Sequence, residues 1–134
     1  MIEINLLIID DNEDDRTVYK RYLKKNNQVN FNFLDAINGE EAIQLFENNE
    51  IDCILLDHLL PDIDGVDLIE KLEKGKISNT LPIVAITGEG NEEIAAKFIK
   101  NGAKEYLSKS KISKEGLIRA IFNTISISKL NLKI

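Results

Sequence analysis

The stretch CILLDHLLPDIDG, residues 53–65, runs four apolar residues directly into Asp57 and then closes on a proline and a glycine. A continuous apolar run of this kind is typical of a parallel strand that is buried on both faces of its sheet. An ionised carboxylate buried without a partner costs far more free energy than one side chain can recover. Asp57 is therefore expected to contact water, to pair with a charged group, or to hold a cation.

Apolar runs alternate with segments of helical period on both sides of this stretch. Strands are predicted at residues 6–9, 29–34, 52–56, 81–86 and 104–108, and helices at 13–26, 39–49, 64–74, 91–102 and from 114 onward. Strict alternation of strands and helices predicts a parallel sheet with helices on both faces. Gly102 is predicted to end the fourth helix, and residues 126–134 to form the end of the last helix and a tail.

The composition predicts one globular domain over residues 1–134, with 43% apolar and 30% charged residues. A net charge of -6 argues against direct binding to nucleic acid or to an anionic membrane. The chain has no apolar run of membrane-spanning length and no signal peptide at its start, so a cytoplasmic location is expected. Cys53 is the only cysteine and is predicted to pack in the core.

Parallel strands deliver their last residues to one edge of the sheet, where ligands bind. The polar residues predicted at these strand ends are Asp10, Asp11, Asp57, Thr87, Ser108 and Lys109. Three neighbouring carboxylates repel one another, and a hard divalent cation such as Mg²⁺ relieves that repulsion. A hydroxyl and an ammonium are suited to an anion instead. A phosphoryl group on Asp57 would use the metal and both donors, because a carboxylate can act as the nucleophile.

Four motifs, LLIIDD (6–11), ILLDHLLPDIDG (54–65), LPIVAITG (81–88) and GAKEYLSK (102–109), resemble the receiver domains of two-component response regulators, the CheY-like family. The resemblance covers essentially the whole chain. It implies an α/β, flavodoxin-like (βα)5 fold, a doubly wound parallel sheet with strand order 2-1-3-4-5. It also implies a signalling switch that catalyses only its own phosphotransfer and dephosphorylation. Asp57 would accept phosphate from a sensor histidine kinase or a histidine phosphotransfer protein, and a downstream protein target would respond.

The resemblance assigns roles to particular residues. Thr87 and Tyr106 resemble the coupled pair of the family, in which the hydroxyl moves toward the phosphoryl group and the ring turns inward. Lys109 would contact the phosphoryl group. The implied magnesium ligands are Asp11 and Asp57 directly, Asp10 through a water molecule, and the backbone carbonyl of Leu59.

Two features depart from the family pattern. Proline usually follows the lysine, but Ser110 follows Lys109 here. A cis bond before serine costs roughly 2.5 to 4 kcal/mol, so a trans bond is expected, with Ser110 or Ser113 capping the last helix. Leu59 and Glu89 occupy the two positions that tend to tune phosphate lifetime in the family, which leaves the hydrolysis rate open.

The remaining polar residues near these motifs have structural interpretations. Asp14 and Asp15 are predicted to be favourable charges at the start of the first helix, and Asp62 and Asp64 to belong to a turn and the next helix cap. His58 is predicted to face solvent or to pack. Asp10 and Asp11 as helix caps, and Tyr106 as strand packing, are alternatives to their functional roles.

Two alternative functions remain open at this point. The chain could be a receiver excised from a hybrid kinase or a DNA-binding regulator, although Met1 and a helix reaching nearly to the end favour a complete small protein. A haloacid-dehalogenase-like hydrolase is less favoured. That family needs a second aspartate two residues after its nucleophile, where this chain has Leu59, and no glycine-rich phosphate loop follows the first strand.

Overall fold

The computed structural model describes the backbone of residues 2–24, 26–74, 80–88 and 92–132. Five parallel strands form one sheet in the order β2-β1-β3-β4-β5. The strands are β1 Ile2–Ile9, β2 Val29–Ala36, β3 Cys53–Asp57, β4 Ile83–Thr87 and β5 Glu105–Ser108. The helices are α1 Glu13–Lys24, α2 Gly39–Asn48, α3 Gly65–Glu73, α4 Glu92–Lys100 and α5 Lys114–Leu132, and a single 3₁₀ turn spans Lys109–Lys111. The predicted flavodoxin-like fold and its strand order are confirmed.

Three elements extend clearly beyond their predicted bounds, and one of them is β2, which ends at Ala36 rather than at residue 34. β1 begins at Ile2, which pairs with Val29 at the start of β2. The first half of this strand is not predicted from the sequence, because the polar residues Glu3 and Asn5 interrupt the apolar run. α5 continues to Leu132, so most of the predicted tail is helical.

The core consists of two layers, one on each face of the sheet. Alternate residues of β1 supply them, because successive side chains of a strand point to opposite faces. Leu6 and Ile8 pack with residues of α1 and α5. Leu7 and Ile9 pack with residues of α2, α3 and α4. Cys53 is a buried free thiol in the first layer, as predicted.

Local signals in the sequence set several helix ends correctly. Gly102 follows α4 with a φ of 120°, a conformation that glycine adopts without steric cost. The Asp64 carboxylate accepts a hydrogen bond from Val66 N–H at 2.9 Å and caps α3. The Ser113 hydroxyl accepts one from Gly116 N–H at 3.0 Å and caps α5. No peptide bond among the described residues is cis, so the predicted trans bond after Lys109 is confirmed.

Within the described residues, no helix combines the length and apolar character that crossing a membrane requires.

Candidate functional site

The carboxyl ends of β1 and β3 bring together the three predicted acidic residues. Asp10 and Asp57 are buried, whereas Asp11 is exposed. One carboxylate oxygen from each of the three lies within 4.8 Å of the others. Asp10 is held in place by its backbone, because its N–H donates to the Ala36 carbonyl at the end of β2 over 3.0 Å. Here we call this group of three side chains the acidic crevice.

Burial disfavours the ionised forms of Asp10 and Asp57 in the acidic crevice. Burial, and then the charge of Asp10, raise the pKa of Asp57 to about 6, while Lys109 acts in the opposite direction. Burial also raises the pKa of Asp10, although a hydrogen bond from Asn12 N–H partly offsets it. Asp57 nevertheless remains mostly ionised at neutral pH. Carboxylate oxygens that are crowded, buried and charged are a donor set suited to a hard divalent cation such as Mg²⁺.

Lys109 carries the ammonium group of the site. Its Nζ lies 3.4 Å from Asp57 Oδ1 and 3.4 Å from Asp10 Oδ2. Its shortest contact, however, is a 2.8 Å hydrogen bond to Asp15 Oδ2 in the first turn of α1. The sequence prediction treated Asp15 only as a charge on that helix. One feature of the sequence could have indicated a contact between Asp15 and the site. The first turn of α1 directly follows the acidic pair at the same edge of the sheet.

Thr87 and Tyr106 share one face of the sheet. In the β4–β5 register, Thr87 pairs with Ser108 and Ala85 pairs with Tyr106. Paired residues of a parallel sheet, and residues two apart on one strand, point to the same side. Thr87 is only 2% exposed, whereas the Tyr106 side chain is 46% exposed. Thr87 and Tyr106 therefore share one face of neighbouring strands, with Thr87 buried and Tyr106 exposed.

The loop between β3 and α3 folds back on itself after Asp57. Gly65 N–H donates to the His58 carbonyl over 3.0 Å, and Leu59 forms an isolated bridge with Asp64. The Leu59 side chain is largely exposed. These bonds fix the path of the backbone that carries the predicted carbonyl ligand.

Asp62 links this loop to a different helix from the one expected. Its carboxylate accepts hydrogen bonds from Gly39 N–H at 2.8 Å and Glu40 N–H at 3.0 Å, both in the first turn of α2. Asn38 caps the same turn by accepting from Glu41 N–H at 2.8 Å. The sequence placed Asp62 in a local turn and did not foresee this contact between neighbouring loops.

His58 packs against the site rather than facing solvent. Its side chain is 14% exposed, and Nδ1 lies 3.9 Å from Asp57 Oδ1. Nδ1 is buried and makes no hydrogen bond within the described part of the chain. Burial lowers the pKa of His58, which favours the neutral imidazole. Glu89, the other position that the family pattern singled out, lies outside the described residues.

Comparison with known proteins identifies the family. The response regulator receiver domain family matches residues 6–122, which include the carboxyl ends of all five strands. The chain belongs to this receiver domain family. The likeness that the sequence motifs suggested is thereby confirmed.

The relatives of this receiver domain differ in length. The transcriptional regulatory protein SrrA of Staphylococcus aureus is 34% identical over 114 residues, which cover 85% of this chain and 45% of SrrA. A response regulator receiver domain protein from Clostridium thermocellum is 30% identical with a TM-score of 0.80, covering 95% of this chain and 98% of that one. A CheY-like receiver domain protein from Methanospirillum hungatei, at 23% identity, has a TM-score of 0.79 over 96% of this chain and 98% of its own, and shows the shared fold. This receiver domain thus spans about half the length of the curated relative it matches.

Proposed function

We propose that this receiver domain is a phosphoacceptor switch and that Asp57 is the residue that carries the phosphoryl group. The observation that supports this most directly is the position of Asp57, a buried carboxylate 3.4 Å from the Lys109 ammonium. Asp57 also belongs to the acidic crevice, which fits a divalent cation. A nucleophile, a cation side chain and metal ligands thus converge at one sheet edge, as phosphoryl transfer requires.

The phosphoryl donor would be a phosphohistidine on a sensor histidine kinase or a histidine phosphotransfer protein. A carboxylate oxygen of Asp57 attacks phosphorus, and the new O–P bond forms as the P–N bond of the donor breaks. The imidazole leaves with the electron pair and remains on the donor protein. Lys109 and the Thr87 hydroxyl then bind oxygens of the transferred group, which stabilises its charge. The domain changes only its own state, and we infer no separate substrate.

The residues that would hold Mg²⁺ are Asp10, Asp11, Asp57 and the Leu59 carbonyl. The bound ion would neutralise charge between the crowded carboxylates and the phosphoryl oxygens. The raised pKa of Asp57 supports this assignment, because burial and the charge of Asp10 both disfavour its ionised form, which a bound cation would stabilise. Asp11 is the exposed member of the crevice, so the proposed metal site is open to solvent on its side.

Phosphorylation would change the contacts that the domain makes with other proteins. The Thr87 hydroxyl would move toward the phosphoryl group and the exposed Tyr106 ring would turn inward, altering the surface presented to a downstream protein target.

We propose that residues 1–134 act as a single receiver domain in the cytoplasm. The acidic net charge of -6 disfavours nucleic-acid binding by this domain itself. Its coverage of 45% of SrrA favours a second possibility, a receiver that serves a longer transcriptional regulator.

Chemical phosphorylation tests the proposal. We expect incubation with acetyl phosphate and Mg²⁺ to add one phosphoryl group to the wild type, detected by intact mass, and Asp57→Asn to abolish the addition. Asp67→Asn is a matched control, because it removes an exposed carboxylate of α3 that is not a member of the acidic crevice. Chelation of the metal should also prevent labelling. Equal labelling of Asp57→Asn and wild type would place the acceptor elsewhere and refute the assignment.

A further inference from the structure

Asp15 is the closest acidic partner of Lys109. The Asp15 Oδ2 contact of 2.8 Å has the length of a charge-assisted hydrogen bond, whereas the contacts with Asp10 and Asp57 are both 3.4 Å. Asp15 is also held at its position, because its backbone N–H donates to Asn12 Oδ1 at 3.0 Å. The ammonium therefore contacts the first turn of α1 more closely than it contacts Asp57.

The alternation of the strands explains this arrangement. Asp10 and Asp57 continue the faces of Ile8 and Leu55, which lie in the core layer beneath α1 and α5. α1 covers this face and also brings the Tyr19 hydroxyl to 3.4 Å from Asp10 Oδ2. Lys109, entering from the end of β5, lies between the strand-end carboxylates and the first turn of α1.

We propose that Asp15 is a positioning residue that retains Lys109 at α1 and competes with a phosphoryl group on Asp57 for the ammonium. This inference rests on the proposed function of Asp57. A cation held by Asp10 and Asp57 would repel Lys109, and Asp15 would then remain as the partner of the ammonium. A phosphoryl group attracts Lys109 in the opposite direction, and the hydrogen bond to Asp15 must then lengthen or break. Asp15 thus weakens the binding of the phosphoryl group and sets how completely Lys109 is transferred to it.

The affinity for beryllofluoride, a mimic of the phosphoryl group, reports how strongly Asp15 competes with that group for Lys109. Its affinity is determined by calorimetry at saturating Mg²⁺ for wild type, Asp15→Asn and Asp14→Asn. Asp15→Asn keeps the size of the side chain and should tighten beryllofluoride binding by about two- to fivefold. This factor is the change in an equilibrium constant that a partly exposed ion pair typically produces. Asp14→Asn removes the same charge from the same turn of α1 at an exposed position, so it corrects for the general field of the helix. It should change the affinity by less than about 1.5-fold, because exposed charges are screened by salt.

A double-mutant cycle tests the contact without any ligand. The unfolding equilibrium constants of Asp15→Asn, Lys109→Met and the double variant should show a coupling factor of about two- to fivefold. The corresponding cycle with Asp14→Asn should be additive. Rescue is also expected, because Asp15→Glu retains the carboxylate and should return the beryllofluoride affinity toward that of the wild type.

The outcomes separate this inference from the function on which it rests. A wild type that binds no beryllofluoride contradicts the proposed function. A wild type that binds it no more weakly than Asp15→Asn contradicts the role of Asp15 alone. Equal tightening by Asp14→Asn and Asp15→Asn, or additivity of Asp15 with Lys109, would likewise overturn the competition between Asp15 and the phosphoryl group.

Discussion

Gly65 packs directly against the backbone of Asp57. A Cβ atom at Gly65 would stand 3.0 Å from the Asp57 carbonyl oxygen and 2.7 Å from Cζ of the fully buried Phe98. The N-terminus of α3 can approach the end of β3 this closely only because residue 65 has no side chain. The loop that follows Asp57 is closed by this contact and by the hydrogen bond from Gly65 N–H to the His58 carbonyl.

Gly65→Ala is expected to disturb both the fold and the site. The added methyl group has to displace backbone atoms or Phe98, and overpacking of this kind typically costs about 1–3 kcal/mol. Denaturant unfolding should report that loss, and acetyl phosphate labelling should slow. Gly116→Ala is the control, because its Cβ would meet only the Ser113 hydroxyl at 3.0 Å. Its effect should stay within about 1 kcal/mol, and an equally small effect at Gly65 would contradict the close approach.

Asp57→Asn is expected to stabilise the protein in a pH-dependent manner. The pKa of Asp57 rises from 3.8 to about 6 on folding, so between these values the folded protein binds more protons than the unfolded chain. Its contribution to the free energy of unfolding therefore falls as the pH rises through this window. Asparagine does not ionise, so the stability gain should be smaller near pH 5 and reach about 1–3 kcal/mol above pH 7. Urea titrations across this range measure it in the absence of metal. A gain independent of pH, or a loss, would show that Asp57 is not strained by ionisation.

Asp11→Ala is expected to weaken Mg²⁺ binding by about tenfold or more, since affinity for a hard cation depends on the number of charged oxygen ligands. The metal-free protein should keep its fold and lose no more than about 1 kcal/mol, because one of three mutually repelling carboxylates has been removed. Calorimetric titration with Mg²⁺ measures the affinity. The control is Asp14→Ala, which removes an exposed carboxylate in the first turn of α1. Unchanged affinity in Asp11→Ala would refute its assignment as a ligand.

Tyr106→Trp is expected to report the switch. The chain contains no tryptophan, so the new side chain would be the sole source of tryptophan fluorescence. At this exposed position its emission should shift to shorter wavelength when beryllofluoride and Mg²⁺ are added, because the ring turns into apolar surroundings. Adding Thr87→Ala should abolish the shift, whereas Tyr22→Trp on α1 should not respond at all. A shift that survives in the Thr87→Ala background would show that the two residues are not coupled.

Local features of the sequence sufficed for much of the fold. The apolar run that ends at Asp57, the helical periods between the strands, and the polar residues at the strand ends are all properties of neighbouring positions. Caps such as Asp64 and Ser113 could be predicted for the same reason, since each bonds a backbone group within three residues of itself. The strand order, in contrast, followed from the family resemblance, because periodicity does not say which strands are neighbours.

Contacts between distant segments were decided only by the tertiary structure. Asp15 and Lys109 are 94 residues apart, and no local pattern distinguishes Asp15 from the other acidic residues of the same helical turn. Asp62 caps α2 from 23 residues away, although its neighbours in the chain indicate a simple turn. The outward position of Tyr106 and the full length of β1 depend in the same way on packing and on pairing with β2. Sequence determines which chemical groups reach the edge of the sheet, but only the packing of the helices over that edge determines which of them meet.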